Sequence, residues 1–181
     1  EGGENKEKLV GYHHSRGGKQ CTQHVGTSTY GVGRGVTVDS SDNIYLTGWT
    51  PGRLDGNTNS GDKDNFLVKY NSSGTKQQTH QLGSTSSEVG YGVTVDSSDN
   101  IYVTGYTAGG LDWNTNIGDN DTFLVKYNSS GAKQWTQQLG TSTDDLGRGV
   151  TVDSYDNTDL TGWTEGRLVG NTKRGANDIF F

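Results

Sequence analysis

The chain repeats itself with a constant step. GVTVDSSDNIYLTGWT occupies 35–50, GVTVDSSDNIYVTGYT occupies 92–107 and GVTVDSYDNTDLTGWT occupies 149–164. Val38, Val95 and Val152 stand 57 residues apart, and the same step links Gly26, Gly83 and Gly140, then Asp64, Asp121 and Asp178, and also Lys69 and Lys126. A period that holds through loops as well as apolar runs denotes one supersecondary unit copied in tandem, whose faces are buried by neighbouring copies.

The unit reads as four strands. In GVTVD, Val93 and Val95 share one face, SSDN supplies a turn, and IYVTGYT resumes the alternation. A polar loop, AGGLDWNTNIGDND, leads to FLVKYN, and SSGA turns the chain into KQWTQQLG. Strands are therefore expected near 35–39, 43–50, 65–71 and 76–82, recurring 57 residues later. Both faces carry apolar groups: Ile101 and Val103 alternate with Tyr102, and Phe123, Val125 and Tyr127 with Leu124. A sheet sandwiched between two others needs that pattern. Glycines after strand two (Gly48, Gly105, Gly162) and after strand four (Gly26, Gly83, Gly140) suit tight bends where backbones approach closely. An up-and-down four-stranded sheet of this kind is the composition of one propeller blade.

The strings DSSDNIYVTGYT, FLVKYNSSG and KQWTQQLG, with the loop that runs from Leu111 to Asp121, resemble the bacterial beta-propeller repeat called SBBP. The resemblance covers nearly the whole chain, with departures at Cys21, Gln78, Asp159 and Val169. It implies an all-β fold of tandem antiparallel blades and an extracellular or cell-surface setting. The family supplies no catalytic residues to carry over, so it implies no chemistry.

Residues 9–26 match the second half of a unit with one extra residue, and NDIFF at the far end matches the opening of strand three. The expected division is 1–34 as the second half of a blade, 35–91 and 92–148 as whole blades, and 149–181 as the first half of a blade plus the start of strand three. That is about three blades, whereas propellers close with about 4 to 8. The expected partners are therefore further blades of a longer chain, or other copies of this one assembled head to tail.

Composition narrows the function classes. Only 28% of residues are hydrophobic and 29 are Gly, which suits thin stacked sheets rather than a thick layered core. No apolar run is long enough to span a bilayer, so membrane insertion is not expected. The net charge is −6 with scattered Lys and Arg, which argues against nucleic acid. A single cysteine, Cys21, excludes an intrachain disulfide; it stands where later copies have Gln78 and Trp135, and is read as drift at a packing position.

The candidate sites lie in loops. Asp55, Asn57, Asn59 and Asp62, repeated as Asp112, Asn114, Asn116 and Asp119, place oxygen-bearing side chains as at the start of a calcium loop. Ser60 and Ile117 stand where such a loop needs glycine, and Phe66 and Phe123 where it needs glutamate. The reading is Asx turns bonded to their own backbone, with calcium as the alternative and no cofactor otherwise expected. In the third copy Val169 and Lys173 replace two of the oxygen-bearing residues. Trp49, Tyr106 and Trp163 end strand two in equivalent positions, with Arg53 and Trp113 in the loops beyond. Aromatics there are read first as packing between blades, but beside Asn, Asp and Arg they also make a shallow sugar site.

Asp39, Asp42 and Asn43, and Asp96, Asp99 and Asn100, are turn residues that recur identically, whereas paired glycosidase acids must differ from each other. His13, His14, His24 and His80 share no repeat position and form no zinc or nucleophile motif. Asn71, Asn120 and Asn128 match glycosylation acceptors, but NSSG is also an ordinary hairpin turn, and it is read as that. The expectation is a non-enzymatic binding or structural module acting on a protein or glycan partner. A lectin-like propeller with repeated sites is the alternative, and a fragment of a propeller enzyme comes behind both.

Overall fold

The computed structural model describes residues 8–13, 19–168 and 170–181, with side chains from Thr22 onward. His14, Val169 and the side chains of His13 and Cys21 lie outside the described residues. The described residues form thirteen strands and no helix. In chain order these are β1 (Lys8–His13), β2 (Lys19–Val25), β3 (Val32–Val38), β4 (Ile44–Thr50), β5 (Asp64–Tyr70), β6 (Lys76–Leu82), β7 (Glu88–Val95), β8 (Ile101–Thr107), β9 (Asp121–Tyr127), β10 (Lys133–Leu139), β11 (Asp145–Val152), β12 (Thr158–Thr164) and β13 (Asp178–Phe180).

Every pairing within a sheet is antiparallel and sequential: β1-β2, β3-β4-β5-β6, β7-β8-β9-β10 and β11-β12-β13. The expected up-and-down sheets are therefore present, and among the described residues they do not close into a ring. The first strands β3, β7 and β11 pack side by side, so each sheet meets the next along its first strand.

Strand one starts earlier than its sequence suggests, at Val32, Glu88 and Asp145 rather than near Gly35, Gly92 and Gly149. The reason is a bulge: the register with strand two shifts between Gly33 and Gly35, between Gly90 and Gly92, and between Gly147 and Gly149. The ladder resumes on the far side of the extra residue, so a Gly-X-Gly string that reads as a strand boundary is strand interior. Gly48, Gly105 and Gly162 likewise lie inside strand two, not after it, directly opposite Gly33, Gly90 and Gly147. A Cβ on Gly48 would stand 1.9 Å from the Val32 carbonyl oxygen and 2.8 Å from the Phe66 ring. Close approach, rather than a bend, is what demands glycine there.

The core lies between sheets. Alternation puts Ile44, Phe66, Val68 and Tyr70 on one face of the β3–β6 sheet, packed with Val25 and Leu54. Tyr45, Leu67 and Leu82 share a core with Val93, Ile101, Val103, Leu111, Phe123, Val125 and Tyr127, which β7–β9 and the loop after β8 supply. Val68, Val103, Phe123 and Val125 are wholly buried, and each such side chain stabilises on the order of 1.5–3 kcal/mol. In the third sheet Thr158 and Asp159 replace the Ile-Tyr pair of the earlier copies, and β12 is correspondingly more exposed.

Turn chemistry repeats with the strands. Asp39 accepts hydrogen bonds from the backbone N–H groups of Ser41 and Asn43, each at 2.9 Å, from Asn43 Nδ2 at 2.8 Å and from the Tyr45 hydroxyl at 2.9 Å. Asp96 does the same with Ser98, Asn100 and Tyr102. Burial alone would raise both carboxyls, but these donors outweigh it and hold Asp39 and Asp96 below the usual carboxylate range. Asp153 keeps the Asn157 and Tyr155 donors and is exposed, because Asp159 stands where the tyrosine would be.

Candidate functional site

The long loop after strand two is organised by the acid that begins strand three. Asp64 is fully buried and accepts from the backbone N–H of Ser60 at 2.8 Å, from that of Gly61 at 3.3 Å and from Gln81 Nε2 at 3.2 Å. Asp121 accepts from Ile117, Gly118 and Gln138 in the same way, and Asp178 from the backbone of Arg174 and Gly175. Asn57 Nδ2 donates to the carbonyls of Leu54 and Thr79, and Asn59 bridges the Gly61 carbonyl and Gln81. Asn114 and Asn116 copy both arrangements. These four asparagines are thus tied into the loop and its neighbouring strand.

The acids of the loop face elsewhere. Asp55, at φ 48°, accepts from Lys76 Nζ and Thr79 Oγ1, both at 2.5 Å, and Asp112 accepts from Lys133 and Thr136. Partial burial would raise these carboxyls, but the lysine and threonine donors hold both below the usual range. Asp62 accepts from the Ser87 hydroxyl at 3.0 Å, and Asp119 is exposed. Asp55 and Asp112 therefore serve ion pairs with strand four, and they meet the asparagine network at Thr79 and Thr136. Among the described residues no group of three or more His, Cys, Asp or Glu is placed to hold a metal ion.

Of the aromatics, Trp49 meets Tyr30 edge-on with centroids 5.4 Å apart, and Lys63 Nζ stands 5.1 Å from the centre of its ring. Tyr106, in the equivalent place on β8, meets Tyr91 at 6.1 Å. Trp163 is half-buried on β12 opposite Leu146 and Ile179. Arg53 and Trp113 are exposed in loops of successive sheets, and Trp113 is fully exposed at φ 70°.

One constellation escaped the reading of the sequence. The residue between the glycines of each bulge is Arg34, Tyr91 and Arg148, again at the repeat step. The guanidinium carbons of Arg34 and Arg148 stand 5.2 and 4.1 Å from the centre of the Tyr91 ring. The visible signal was GRG, GYG and GRG at a constant spacing, and only the packing of β3 against β7 and of β7 against β11 brings the three together. Burial pushes the neighbouring Tyr106 hydroxyl up, with Tyr91 and Asp144 adding to that and the two arginines opposing it.

Two further acids are buried where strand one begins. Glu88 accepts from the Ser84 backbone and hydroxyl at 2.7 and 2.6 Å and from Thr107 at 2.7 Å, and Asp145 accepts from the Thr141 backbone and hydroxyl. Burial pushes the Glu88 carboxyl up, although those hydrogen bonds oppose it. Their backbone N–H groups bond to the carbonyls of Lys63 and Asn120, so each joins the loop of one sheet to the first strand of the next. Of the histidines, His24 is exposed; His80 is half-buried against Tyr127 at 5.3 Å, and burial holds its imidazole below the usual range.

The repeated junction of strand four, bulged strand one and strand two is also what comparison with known families detects. The beta-propeller repeat SBBP matches residues 22–55, 79–112 and 134–168, more than half of the chain. The chain belongs to the SBBP beta-propeller repeat family. Each matched SBBP segment runs from strand four of one sheet through strand two of the next, so it contains the bulge and the Asp39-type turn. Asn57, Asn59 and Asp62 fall outside those segments, as do Trp113, Asn114, Asn116 and Asp119. The chain is also similar to an uncharacterized WD repeat-containing protein of Acanthamoeba polyphaga mimivirus, 27% identical over 80% of this chain. It spans 13% of that relative's length.

Proposed function

We propose that this SBBP chain is a non-enzymatic binding or structural interaction module of an extracellular or cell-surface protein. The observation that carries this reading is the equivalence of the loops at 51–63 and 108–120, which present the same bonded asparagine pair and the same Asp–Lys ion pair on successive sheets. Repeated equivalent surfaces bind weakly one at a time and strongly together. The recurring acids Asp39, Asp96, Asp64 and Asp121 each take several donors from the protein itself, which suits a scaffold role.

A glycan is the second reading, supported by Trp49 and Tyr106 at the ends of β4 and β8, where these loops begin. Further blades or further copies of the chain complete the assembly in this proposal. Calorimetric titration with calcium chloride and with a panel of soluble oligosaccharides tests it. Oligosaccharide binding lowered by Trp49→Ala and indifferent to chelation supports the glycan. Calcium binding that loses one site in each of Asp55→Ala and Asp112→Ala supports an ion-dependent rim. No saturable binding of either leaves the structural role as the account.

A further inference from the structure

A bulge re-aims the side chain of its extra residue out of the ladder. Here the same position is bulged in three successive sheets, and glycine flanks it each time. The glycines let the first strands β3, β7 and β11 close up. A Cβ on Gly35 would stand 2.7 Å from the Tyr91 carbonyl oxygen, and one on Gly92 would stand 3.1 Å from Val150 N. The strands are therefore held near enough for the three bulged side chains to converge, with both guanidinium groups on the one Tyr91 ring.

That arrangement is electrostatically incomplete. Arginine stays charged at any working pH, and two like charges gathered at one place repel. Contact with the ring offsets part of this. Among the described residues neither guanidinium has a carboxylate within ion-pair distance, although the chain as a whole carries a net charge of −6. The nearby acid Asp144 instead accepts a hydrogen bond from Asn120 Nδ2 at 2.6 Å. Arg34 and Arg148 are both exposed residues, and a planar donor fork on such a residue suits a carboxylate or phosphate.

We propose that Arg34 and Arg148, gathered on Tyr91 by the three bulges, bind a small oxyanion ligand carrying a carboxylate, phosphate or sulfate group. An oxyanion held at these guanidinium groups offsets their like charge and accepts from donors that no protein group takes among the described residues. The site lies on the first strands β3, β7 and β11 and does not depend on the reading of the loops after strand two.

The test is calorimetry at low ionic strength with succinate, inorganic phosphate and inorganic sulfate as separate probes. Saturable binding of at least one probe is expected, and binding of phosphate and sulfate without succinate assigns a tetrahedral ligand. Arg34→Gln and Arg148→Gln should each weaken it about tenfold or more, as expected for loss of a charged hydrogen bond. The double variant should abolish binding, while Arg53→Gln, a loop arginine, and Trp49→Ala should leave it unchanged. Circular dichroism of each variant verifies that the sheets are retained. No saturable binding of any probe overturns the proposal, as does binding that survives the double variant or falls equally in Arg53→Gln. Neither result bears on oligosaccharide or calcium binding at the rim.

Discussion

Ser40 donates to the carboxylate of Asp99 twice, from its backbone N–H at 2.9 Å and from its hydroxyl at 2.6 Å, and so ties the first turn of one sheet to the same turn of the next. Ser97 and Asp156 repeat the clamp at 3.2 and 3.0 Å. The acid can face backwards because Asp42, Asp99 and Asp156 all sit at φ near 60°, a left-handed conformation that aspartate tolerates.

Asp99→Ala should therefore destabilise the chain more than Asp42→Ala. Both substitutions strain the same backbone conformation, so the difference isolates the clamp, at about 1 kcal/mol for an exposed charge-assisted pair of bonds. Urea unfolding of the two variants measures it, and equal midpoints would show that the clamp adds nothing.

Gly33 and Gly48 face each other across β3 and β4 but should respond oppositely to alanine. A Cβ on Gly33 meets nothing within 4 Å, whereas on Gly48 it overlaps the Val32 carbonyl. Gly33→Ala should be neutral or stabilising by up to about 1 kcal/mol, and Gly48→Ala should cost about 3 kcal/mol or more. Thermal melts of the two variants check the asymmetry.

Tyr102→Phe removes one of the donors that hold the Asp96 carboxyl below its ordinary value. A carboxyl depressed in the folded state binds its proton more readily in the unfolded chain. Its contribution is present above the unfolded value near pH 4 and is lost as pH falls through the folded value. The variant should thus be less stable by about 1 kcal/mol at pH 7, and should converge on the parent as the pH falls below the folded value. Denaturation midpoints between pH 2 and pH 7 test the convergence.

His80 should give a separate pH dependence at higher pH. Its Nε2 is buried with no hydrogen-bond partner among the described residues, and burial disfavours the charged imidazole. Below the unfolded value of about 6.5 the unfolded chain takes up a proton that the folded chain refuses, so stability falls from there down to the folded value. His80→Gln should flatten that segment of the stability curve and leave the carboxylate segment below pH 4 in place.

Much of the fold was legible because its causes are local. The alternation in IYVTGYT, the turn donors around Asp96 and the 57-residue step specify four antiparallel strands wherever the string occurs, and the observed strands follow them. The loop residues Asn57 and Asn114 donate from Nδ2 to the carbonyls of Leu54 and Thr79 and of Leu111 and Thr136, one partner local and one on strand four. The bulge was missed because a Gly-X-Gly string looks the same at the start of a strand and inside one, and only pairing with β4, β8 or β12 reveals the extra residue.

Identical strings, however, met different surroundings. Val36 and Val93 occupy the same place in GVTVD, yet Val36 is 64% exposed and Val93 9%, since Val93 packs into the core shared with Tyr45 and Leu67. Arg34, Tyr91 and Arg148 are each unremarkable within their own copy and become a constellation only where β3, β7 and β11 lie side by side. Strand alternation and turn hydrogen bonds act over a few residues, so the repeated string alone specifies the unit. Burial, convergence of charge and the ion pair of Asp55 with Lys76 were decided by tertiary structure, because each depends on which surface lies within a few ångströms of a residue many positions away.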